Sequence, residues 1–257
     1  WSYRLYAPLM RYFLKRVDHI VATSEPYRLS SSVLQAYRAK VSVIPLALAP
    51  HKDHDQWPKS EGLKMVCQRL PKRYFLFLGV LRYYKGLDVL LEALALSSYP
   101  IVIAGDGPEM ASLKRQAKSL GLDDVIFLGS VDEPTKHHLY RHCEAFVFPS
   151  NYRSEAFGLS LLEAARFGKA MISCDIQTGT TFINCHEQTG LVVPPNDPKA
   201  LSKAMQRLWD APQWTQALGR AALERSLRVF SYSMMIDAYH QIYQKLGRSS
   251  GPGTKGG

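Results

Sequence analysis

Residues 74–105 read YFLFLGVLRYYKGLDVLLEALALSSYPIVIAG. Two short and almost wholly apolar segments, 74–79 and 101–105, stand at its ends and have the length of buried strands. Between them, residues 86–96 carry apolar side chains at helical spacing. Strands that are apolar on both faces and separated by one helix are typical of a parallel sheet covered by helices. This stretch therefore predicts a βαβ unit at the centre of an α/β domain.

The same alternation of strands and helices continues on both sides of this unit. Further strands are predicted at 19–23, 41–46, 125–129, 145–150, 170–174 and 191–194. Further helices are predicted at 26–37, 109–121, 134–143, 158–167, 197–210, 213–228 and 233–246. We therefore expect a doubly wound parallel sheet, in which ligands bind beyond the carboxyl ends of the strands. The loops that follow strands are the places to look for binding residues.

The composition excludes several classes of protein. With 257 residues, 46% of them hydrophobic, the chain can bury a core without disulfides or a structural metal. No uncharged apolar run approaches the roughly 20 residues of a membrane span, and the start does not resemble a signal peptide. The four cysteines form no C-x-x-C pair, so free thiols and a cytoplasmic location are expected. Because the sequence begins with Trp1 and not with Met, we expect it to be cut from a longer polypeptide.

The net charge of +10 is concentrated near the two ends, with +5 in residues 1–60 and +3 in residues 245–257. The first 16 residues, WSYRLYAPLMRYFLKR, mix basic and aromatic side chains and could form a basic amphipathic helix on the inner face of the plasma membrane. The alternative is a helix that packs on protein, with Arg11, Lys15 and Arg16 in solvent. Basic residues are not interleaved along the chain, so no nucleic-acid partner is expected.

The loop after the first strand of the central unit reads GVLRYYKG, residues 79–86. A glycine at the start of a helix exposes backbone N–H groups, which suit a phosphate. Two cations, Arg82 and Lys85, lie beside it and would neutralise a diphosphate. The alternative is a solvated basic turn.

A second loop and helix, residues 151–163, read NYRSEAFGLSLLE. Glu155 precedes the helix, and Glu163 is the only charged residue between Ala156 and Ala165. Because an unpaired buried carboxylate is costly, Glu163 is expected to face a polar cleft or to receive hydrogen bonds from a ligand such as a ribose. For Glu155 the alternative is a capping carboxylate that stabilises the helix dipole.

Other patterns are less informative about chemistry. The turns GDGPE (105–109) and GSVDE (129–133) follow strands, but no G-x-G-x-x-G is present, which disfavours an NAD-dependent oxidoreductase. A D-x-D at 53–55 lies in a polar linker and not after a strand. His138 and His142 have the i, i+4 spacing of metal ligands but no third ligand, so no metal site is expected.

Together these strings carry a resemblance to a known family. SEAFGLSLLEA resembles the E-x7-E motif of retaining GT-B glycosyltransferases of family 4, also called group 1. The Lys85–Gly86 pair, GDGPE, VIFLGSV and FVFPS fit the same family in the same order, so that the resemblance runs from about 18 to 245. The segment 178–197, TGTTFINCHEQTGLVVPPND, is similar to mannosyl- and rhamnosyltransferases of O-antigen and other surface-polysaccharide pathways.

The resemblance implies roles for individual residues. Glu155 would hydrogen-bond the hydroxyls of the donor sugar, Glu163 would hold the nucleotide ribose, and Arg82 with Lys85 would bind the diphosphate. Glu155, Arg82 and Lys85 are thus the implied catalytic residues. The other implied donor contacts are Gly79, Gly129, Val131, Asp132, Phe157, Gly158 and Leu159. Asp132 could accept from guanine, which favours a GDP-sugar over a UDP-sugar, and no divalent metal or other cofactor is implied.

The resemblance also implies a reaction and a division of the chain. The reaction is transfer of a mannose-like hexose from a nucleotide diphosphate sugar to a lipid-linked saccharide; a non-catalytic nucleotide-sugar-binding module, or an inactive fragment, is the alternative. The division is a remnant of an N-terminal acceptor-side domain (1–48), a linker (49–61), a donor-binding domain (62–230), a helix crossing back (231–246) and a disordered tail (247–257). One departure from the family is Val80, which stands where a basic residue usually follows the strand-end glycine.

Overall fold

The strands and helices follow the predicted alternation closely. A computed structural model describes residues 2–49 and 61–249. The strands in these residues are β1 (Ile20–Ala22), β2 (Val41–Val43), β3 (Phe75–Leu78), β4 (Ile101–Ala104), β5 (Val125–Gly129), β6 (Ala145–Phe148), β7 (Met171–Cys174) and β8 (Gly190–Val193). The helices are α1 (Ser2–Arg16), α2 (Glu25–Ser30), α3 (Ser32–Ala36), α4 (Glu61–Arg69), α5 (Leu87–Leu96), α6 (Met110–Ser119), α7 (Glu133–His142), α8 (Leu159–Arg166), α9 (Gly179–Ile183), α10 (Pro198–Asp210), α11 (Pro212–Val229) and α12 (Tyr232–Ser249).

The main sheet has six parallel strands in the order β5-β4-β3-β6-β7-β8. Strand β3 pairs with β4 on one side and with β6 on the other, so the chain winds outward in both directions from this point. The crossovers after β3 and β6 run in opposite directions here, and doubly wound sheets bind their ligands in the crevice at such a point, beyond the carboxyl ends of the strands. β1 and β2 pair in a separate parallel sheet of two strands. The predicted doubly wound α/β fold is confirmed.

The core lies on both faces of the six-stranded sheet. In β3, Phe75 and Phe77 belong to one buried cluster, while Leu76 belongs to the other. Both clusters hold fully buried side chains, which explains why the strands carry almost no polar residues.

Several helices differ from the prediction. The helix expected at 26–37 is two helices, because Ser31 has an extended backbone and its Oγ accepts from the Leu34 N–H at 3.4 Å to cap α3. Helices α4 and α9 were not predicted, the first because it begins within the proline-containing polar stretch and the second because five residues show no periodicity. Helix α12 continues to Ser249, so the prediction of a disordered tail over 247–257 is wrong for residues 247–249, which are helical. Asp53 and Asp55 of the D-x-D, and residues 250–257 of the tail, lie outside the described residues.

The cysteines are free thiols, as the sequence predicts. Burial raises the pKa of both Cys143 and Cys174 to about 12, so these thiols stay protonated at neutral pH. None of the helices within 2–49 and 61–249 combines the length and the apolar character that crossing a membrane requires.

Candidate functional site

The loop after β3 is brought against the end of β6 by a glycine. A short 3-10 turn, Tyr83–Lys85, leads to Gly86, which has a left-handed backbone (φ 65°) and precedes α5. A Cβ atom at Gly86 would lie 2.1 Å from the carbonyl oxygen of Pro149, so only glycine allows this approach. The two strand-following loops therefore meet at the point where the order of the sheet reverses.

Lys85 and Glu155 form an ion pair across these two loops. The distance from Lys85 Nζ to Glu155 Oε2 is 2.5 Å, and the two side chains are only 10% and 12% exposed. Nζ also lies 4.6 Å from the ring centroid of Phe148, at the end of β6. Two residues separated by 70 positions in the sequence, each predicted as a site residue, are thus in direct contact. The structure places a cation and a carboxylate, both largely shielded from water, in the crevice.

The start of α8 faces the same region. Gly158 precedes the helix with a left-handed backbone (φ 96°), Phe157 is buried and Leu159 is 49% exposed. The first N–H groups of a helix have no acceptor within it and carry the positive end of the helix dipole. Since Glu155 lies three residues before Gly158, the segment between β6 and α8 contains both a carboxylate and backbone N–H groups that suit an anion.

Contacts that sequence reasoning missed hold this loop in place. The Gly179 N–H donates to the Ala156 carbonyl at 2.9 Å, and a Cβ at Gly179 would lie 2.6 Å from Phe157 Cα. The Asn151 amide donates to Asn196 Oδ1 at 2.6 Å. The only sequence signal for these contacts is the glycine itself, because the partners come from segments that are distant in the chain.

Glu163 is held by the protein itself, which corrects the expectation that only a polar cleft or a ligand could satisfy its carboxylate. Its Oε1 accepts from Lys136 Nζ at 3.2 Å and its Oε2 from the Tyr140 hydroxyl at 3.0 Å. Lys136 and Tyr140 lie four residues apart on α7 and so share the face that meets α8. The carboxylate is 20% exposed. Sequence reasoning missed both partners because they belong to another helix.

The charge states of this cluster follow from its surroundings. Burial tends to lower the pKa of Lys136, but its bonds to Glu133 and Glu163 outweigh burial, and the pKa is raised. Burial, reinforced by the negative charge of Glu163, raises the pKa of Tyr140 well above its ordinary value. At neutral pH the carboxylate is therefore held between an ammonium group and a neutral hydroxyl donor.

The structure brings Lys85, but not Arg82, into contact with Glu155. Arg82 is exposed and, with Asp88 and Glu109, lines a separate hollow of about 100 Å³ between α5 and α6. Val80 is also exposed (52%). The part of the loop next to Glu155 therefore contains one buried cation.

The predicted base-flanking segment follows β5. Gly129 has a left-handed backbone (φ 74°), and Val131 is half-buried. Asp132 caps α7, because its Oδ1 accepts from the Thr135 N–H at 2.9 Å. Gly79 closes the end of β3 by donating to the carbonyl of a β4 residue, Ala104, at 3.1 Å. The two glycines thus mark the ends of β3 and β5, the strands on either side of β4, and Asp132 follows Gly129 at the start of α7.

The candidate metal ligands do not form a metal site. The rings of His138 and His142 stack at 4.0 Å, and His138 Nε2 lies 3.3 Å from the sulfur of Cys67. Burial lowers the pKa of His138, and the neighbouring His142 and Arg141 lower it further. In residues 2–49 and 61–249 no group of three or more His, Cys, Asp or Glu side chains is arranged to hold a metal ion.

Comparison with known proteins places this arrangement in a family. Residues 68–225 match the family described as glycosyl transferases group 1. The chain therefore belongs to that family, as the resemblance of its motifs predicted. The matched range contains both strands of the switch point and both members of the Lys85–Glu155 pair.

Two relatives have high identity. The chain is 50% identical over 230 residues to the D-rhamnosyltransferase WbpZ of Pseudomonas aeruginosa, covering 89% of this chain and 59% of that protein. It is 43% identical over 243 residues to the O-antigen chain mannosyltransferase C of Escherichia coli, covering 95% of this chain and 65% of that protein. The chain thus spans about three fifths of the length of these relatives.

A solved structure supports the fold. Sucrose-phosphate synthase from Thermosynechococcus elongatus superposes with a TM-score of 0.76 at 25% identity, over 94% of this chain and 61% of that one. The six-stranded parallel sheet matches the structures of GT-B glycosyltransferases, as predicted.

Proposed function

We propose that this chain is the donor-binding part of a retaining glycosyltransferase that transfers a mannose-like hexose from a nucleotide diphosphate sugar to a lipid-linked saccharide. The observation that carries the proposal is the shielded Lys85–Glu155 pair at the switch point of the sheet. Family membership and the likeness to a rhamnosyltransferase and an O-antigen mannosyltransferase support it. The product belongs to surface-polysaccharide synthesis.

The chemistry of the transfer requires positive charge where the leaving group forms. The bond between the anomeric carbon and the phosphate oxygen breaks, and its electron pair goes to the diphosphate. A new bond forms to the acceptor oxygen, whose proton passes to the departing diphosphate. Lys85 and the N–H groups of Phe157, Gly158 and Leu159 stabilise the developing phosphate charge, with Arg82 approaching from the exposed part of the loop.

Glu155 has a different task at the same place. Its carboxylate accepts hydrogen bonds from the hydroxyls of the donor sugar and holds the anomeric carbon toward the acceptor. In the absence of donor, the carboxylate is paired with Lys85. We propose that Lys85 pairs with the diphosphate when the donor binds. The Glu155 carboxylate is then free of Lys85 and accepts from the sugar hydroxyls.

The nucleoside is proposed to bind beside Glu163, which lies farther along α8 than the phosphate-binding start of the helix. Lys136 and Tyr140 fix the carboxylate of Glu163 so that its remaining acceptor positions meet the two ribose hydroxyls. Gly79 and the segment from Gly129 through Val131 to Asp132 flank the base. The Asp132 carboxylate is proposed to accept from the adjacent N–H donors of guanine, which favours a GDP-sugar over a UDP-sugar. No divalent metal or other cofactor is part of this proposal.

Replacing Glu163 with alanine is expected to weaken nucleotide binding by about 1–3 kcal/mol, the scale for hydrogen bonds to a charged group. Glu133→Ala is the matched control, because it also removes a partner of Lys136 but leaves the Glu163 carboxylate in place. Calorimetry with a nucleoside diphosphate measures both variants. An unchanged affinity in Glu163→Ala would show that the ribose is bound elsewhere.

The first helix supplies a surface for the membrane that carries a lipid-linked acceptor. Helix α1 exposes Leu9 (63%) and Phe13 (62%) beside the basic Arg11, Lys15 and Arg16. We propose peripheral contact of this helix with the inner face of the plasma membrane. Packing of the same face on protein is the alternative, and flotation with vesicles of neutral and anionic lipids separates the two.

We also propose a division of the chain that follows its two sheets. Residues 1–48 with β1 and β2 belong to an acceptor-side domain, 49–61 link it to the donor domain of 62–230, and α12, which the structure extends to Ser249, crosses back. The residues after α12 are assigned no part in binding.

A screen of nucleotides tests the proposed function. GDP, UDP and ADP are each added to the protein, and the melting temperature is recorded; binding to the folded state raises it by mass action. We expect GDP to give the largest rise. A larger rise with UDP would overturn the guanine assignment, and no rise with any of them would overturn the donor site. Binding without sugar transfer or donor hydrolysis would favour a non-catalytic module.

A further inference from the structure

Arg153 occupies the turn that leads directly to Glu155. The Glu155 N–H donates to the Tyr152 carbonyl at 3.1 Å, which closes a four-residue turn with Arg153 at its second position. The orientation of this turn sets where the Glu155 carboxylate lies relative to Lys85. Contacts that hold the Arg153 side chain therefore also restrain the position of the Glu155 carboxylate.

The guanidinium of Arg153 reaches two other segments of the chain. Its Nη1 donates to the carbonyls of Gln177 at 3.1 Å and Ile176 at 3.3 Å, in the loop after β7. Its Nη2 donates to Ser30 Oγ at 2.9 Å, at the end of α2. Tyr27, also on α2, lies with its ring centroid 5.7 Å from the guanidinium carbon. Arg153 thus joins the Glu155 turn to α2.

The acceptor carbonyl at this junction is held in an uncommon geometry. Gln177 has a positive φ of 55°, which costs energy for a residue other than glycine. Its carbonyl oxygen lies 2.7 Å from Ser30 Oγ as well as within reach of Arg153. The backbone at Gln177 is therefore turned toward α2 and the guanidinium together.

We propose that Arg153 is a positioning residue that makes the rate of sugar transfer depend on its contact with α2. Helix α2 lies in residues 1–48, proposed as the acceptor-side part, whereas Glu155 lies in the donor part. Through Ser30 and Arg153, the α2 contact holds Glu155 in the place where it meets the donor sugar. This inference rests on the proposed function, because it presumes that Glu155 contacts the sugar.

The test compares Arg153→Ala, Ser30→Ala and the double variant in the complete polypeptide. Arg207→Ala is the matched control, since Arg207 is also exposed and hydrogen-bonded but lies on α10. Measured quantities are kcat and KM for the donor, affinity for a nucleoside diphosphate, and the melting temperature. Because Arg153 is exposed, we expect its loss to shift the melting temperature by less than about 3 °C.

We expect Arg153→Ala to lower kcat about 10- to 100-fold, the scale for slight misplacement of a reacting group, with KM and diphosphate affinity within about twofold. Ser30→Ala should lower kcat by a smaller factor, and the double variant should match Arg153→Ala, because both substitutions break one connection. An unchanged kcat in Arg153→Ala, or independent losses that multiply in the double variant, would overturn the inference. Glu155→Gln is measured in parallel. Full transfer activity in Glu155→Gln would overturn the proposed role of Glu155. If Glu155→Gln loses activity while Arg153→Ala keeps the full kcat, only the inference about Arg153 is overturned.

Discussion

Replacing Lys85 with alanine is expected to weaken the binding of a nucleoside diphosphate about 10- to 100-fold, the effect of losing hydrogen bonds to a charged group. Binding of the corresponding nucleoside, which lacks the phosphates, should stay within about twofold. The reason is the placement of Lys85, whose side chain is 10% exposed and whose ammonium group lies beside a phenylalanine ring, where water screens its charge poorly. Calorimetry with GDP and with guanosine measures the two affinities.

The control for this experiment is Lys118→Ala, which removes an exposed lysine from α6. It keeps the net charge equal to that of Lys85→Ala, so any general effect of charge appears in both variants. Equal losses for GDP and guanosine in Lys85→Ala would contradict the diphosphate assignment.

Replacing Glu155 with glutamine is expected to lower the rate of sugar transfer by about 10²-fold or more, the scale for losing one preorganised polar contact in a transition state. The affinity for a nucleoside diphosphate should stay the same or increase. In the free protein Glu155 accepts from Lys85 at 2.5 Å, so a neutral side chain no longer competes with the phosphates for this cation. The two members of one ion pair are therefore expected to have opposite effects on diphosphate affinity.

Steady-state transfer assays and calorimetry on the same preparation measure both effects. Glu187→Gln serves as the control, because Glu187 is an exposed carboxylate paired with Arg207 away from the crevice. A loss of diphosphate affinity in Glu155→Gln as large as that in Lys85→Ala would mean that the pair acts only as a structural clamp.

The main sheet could be predicted because burial on both faces leaves a direct mark on the sequence. Segments such as FLFL (75–78) and IVIA (101–104) are apolar throughout and of strand length. Helix α9 has no such apolar pattern in its five residues. It is held by buried threonines and by the Gly179 N–H, and these contacts depend on the tertiary fold. The break at Ser31 was also missed, because its cap competes locally with a continuous helix.

The candidate site was only partly predictable for a similar reason. Lys85, Glu155 and Glu163 were identified from their loops and motif, but their partners are set by the order of the strands and by helix packing. Strand order places β6 beside β3, which puts Glu155 against Lys85. Helix packing places Lys136 against Glu163, although Lys136 carries no motif of its own.

A crystal structure with a nucleoside diphosphate bound tests the central claim most directly. We predict that the terminal phosphate lies at hydrogen-bond distance, about 2.7–3.2 Å, from Lys85 Nζ and from a backbone N–H at Phe157, Gly158 or Leu159. The ribose should contact Glu163. Phosphates bound instead in the hollow of Arg82 and Glu109, with the Lys85–Glu155 pair intact and Glu163 untouched, would contradict a donor site at the junction of β3 and β6.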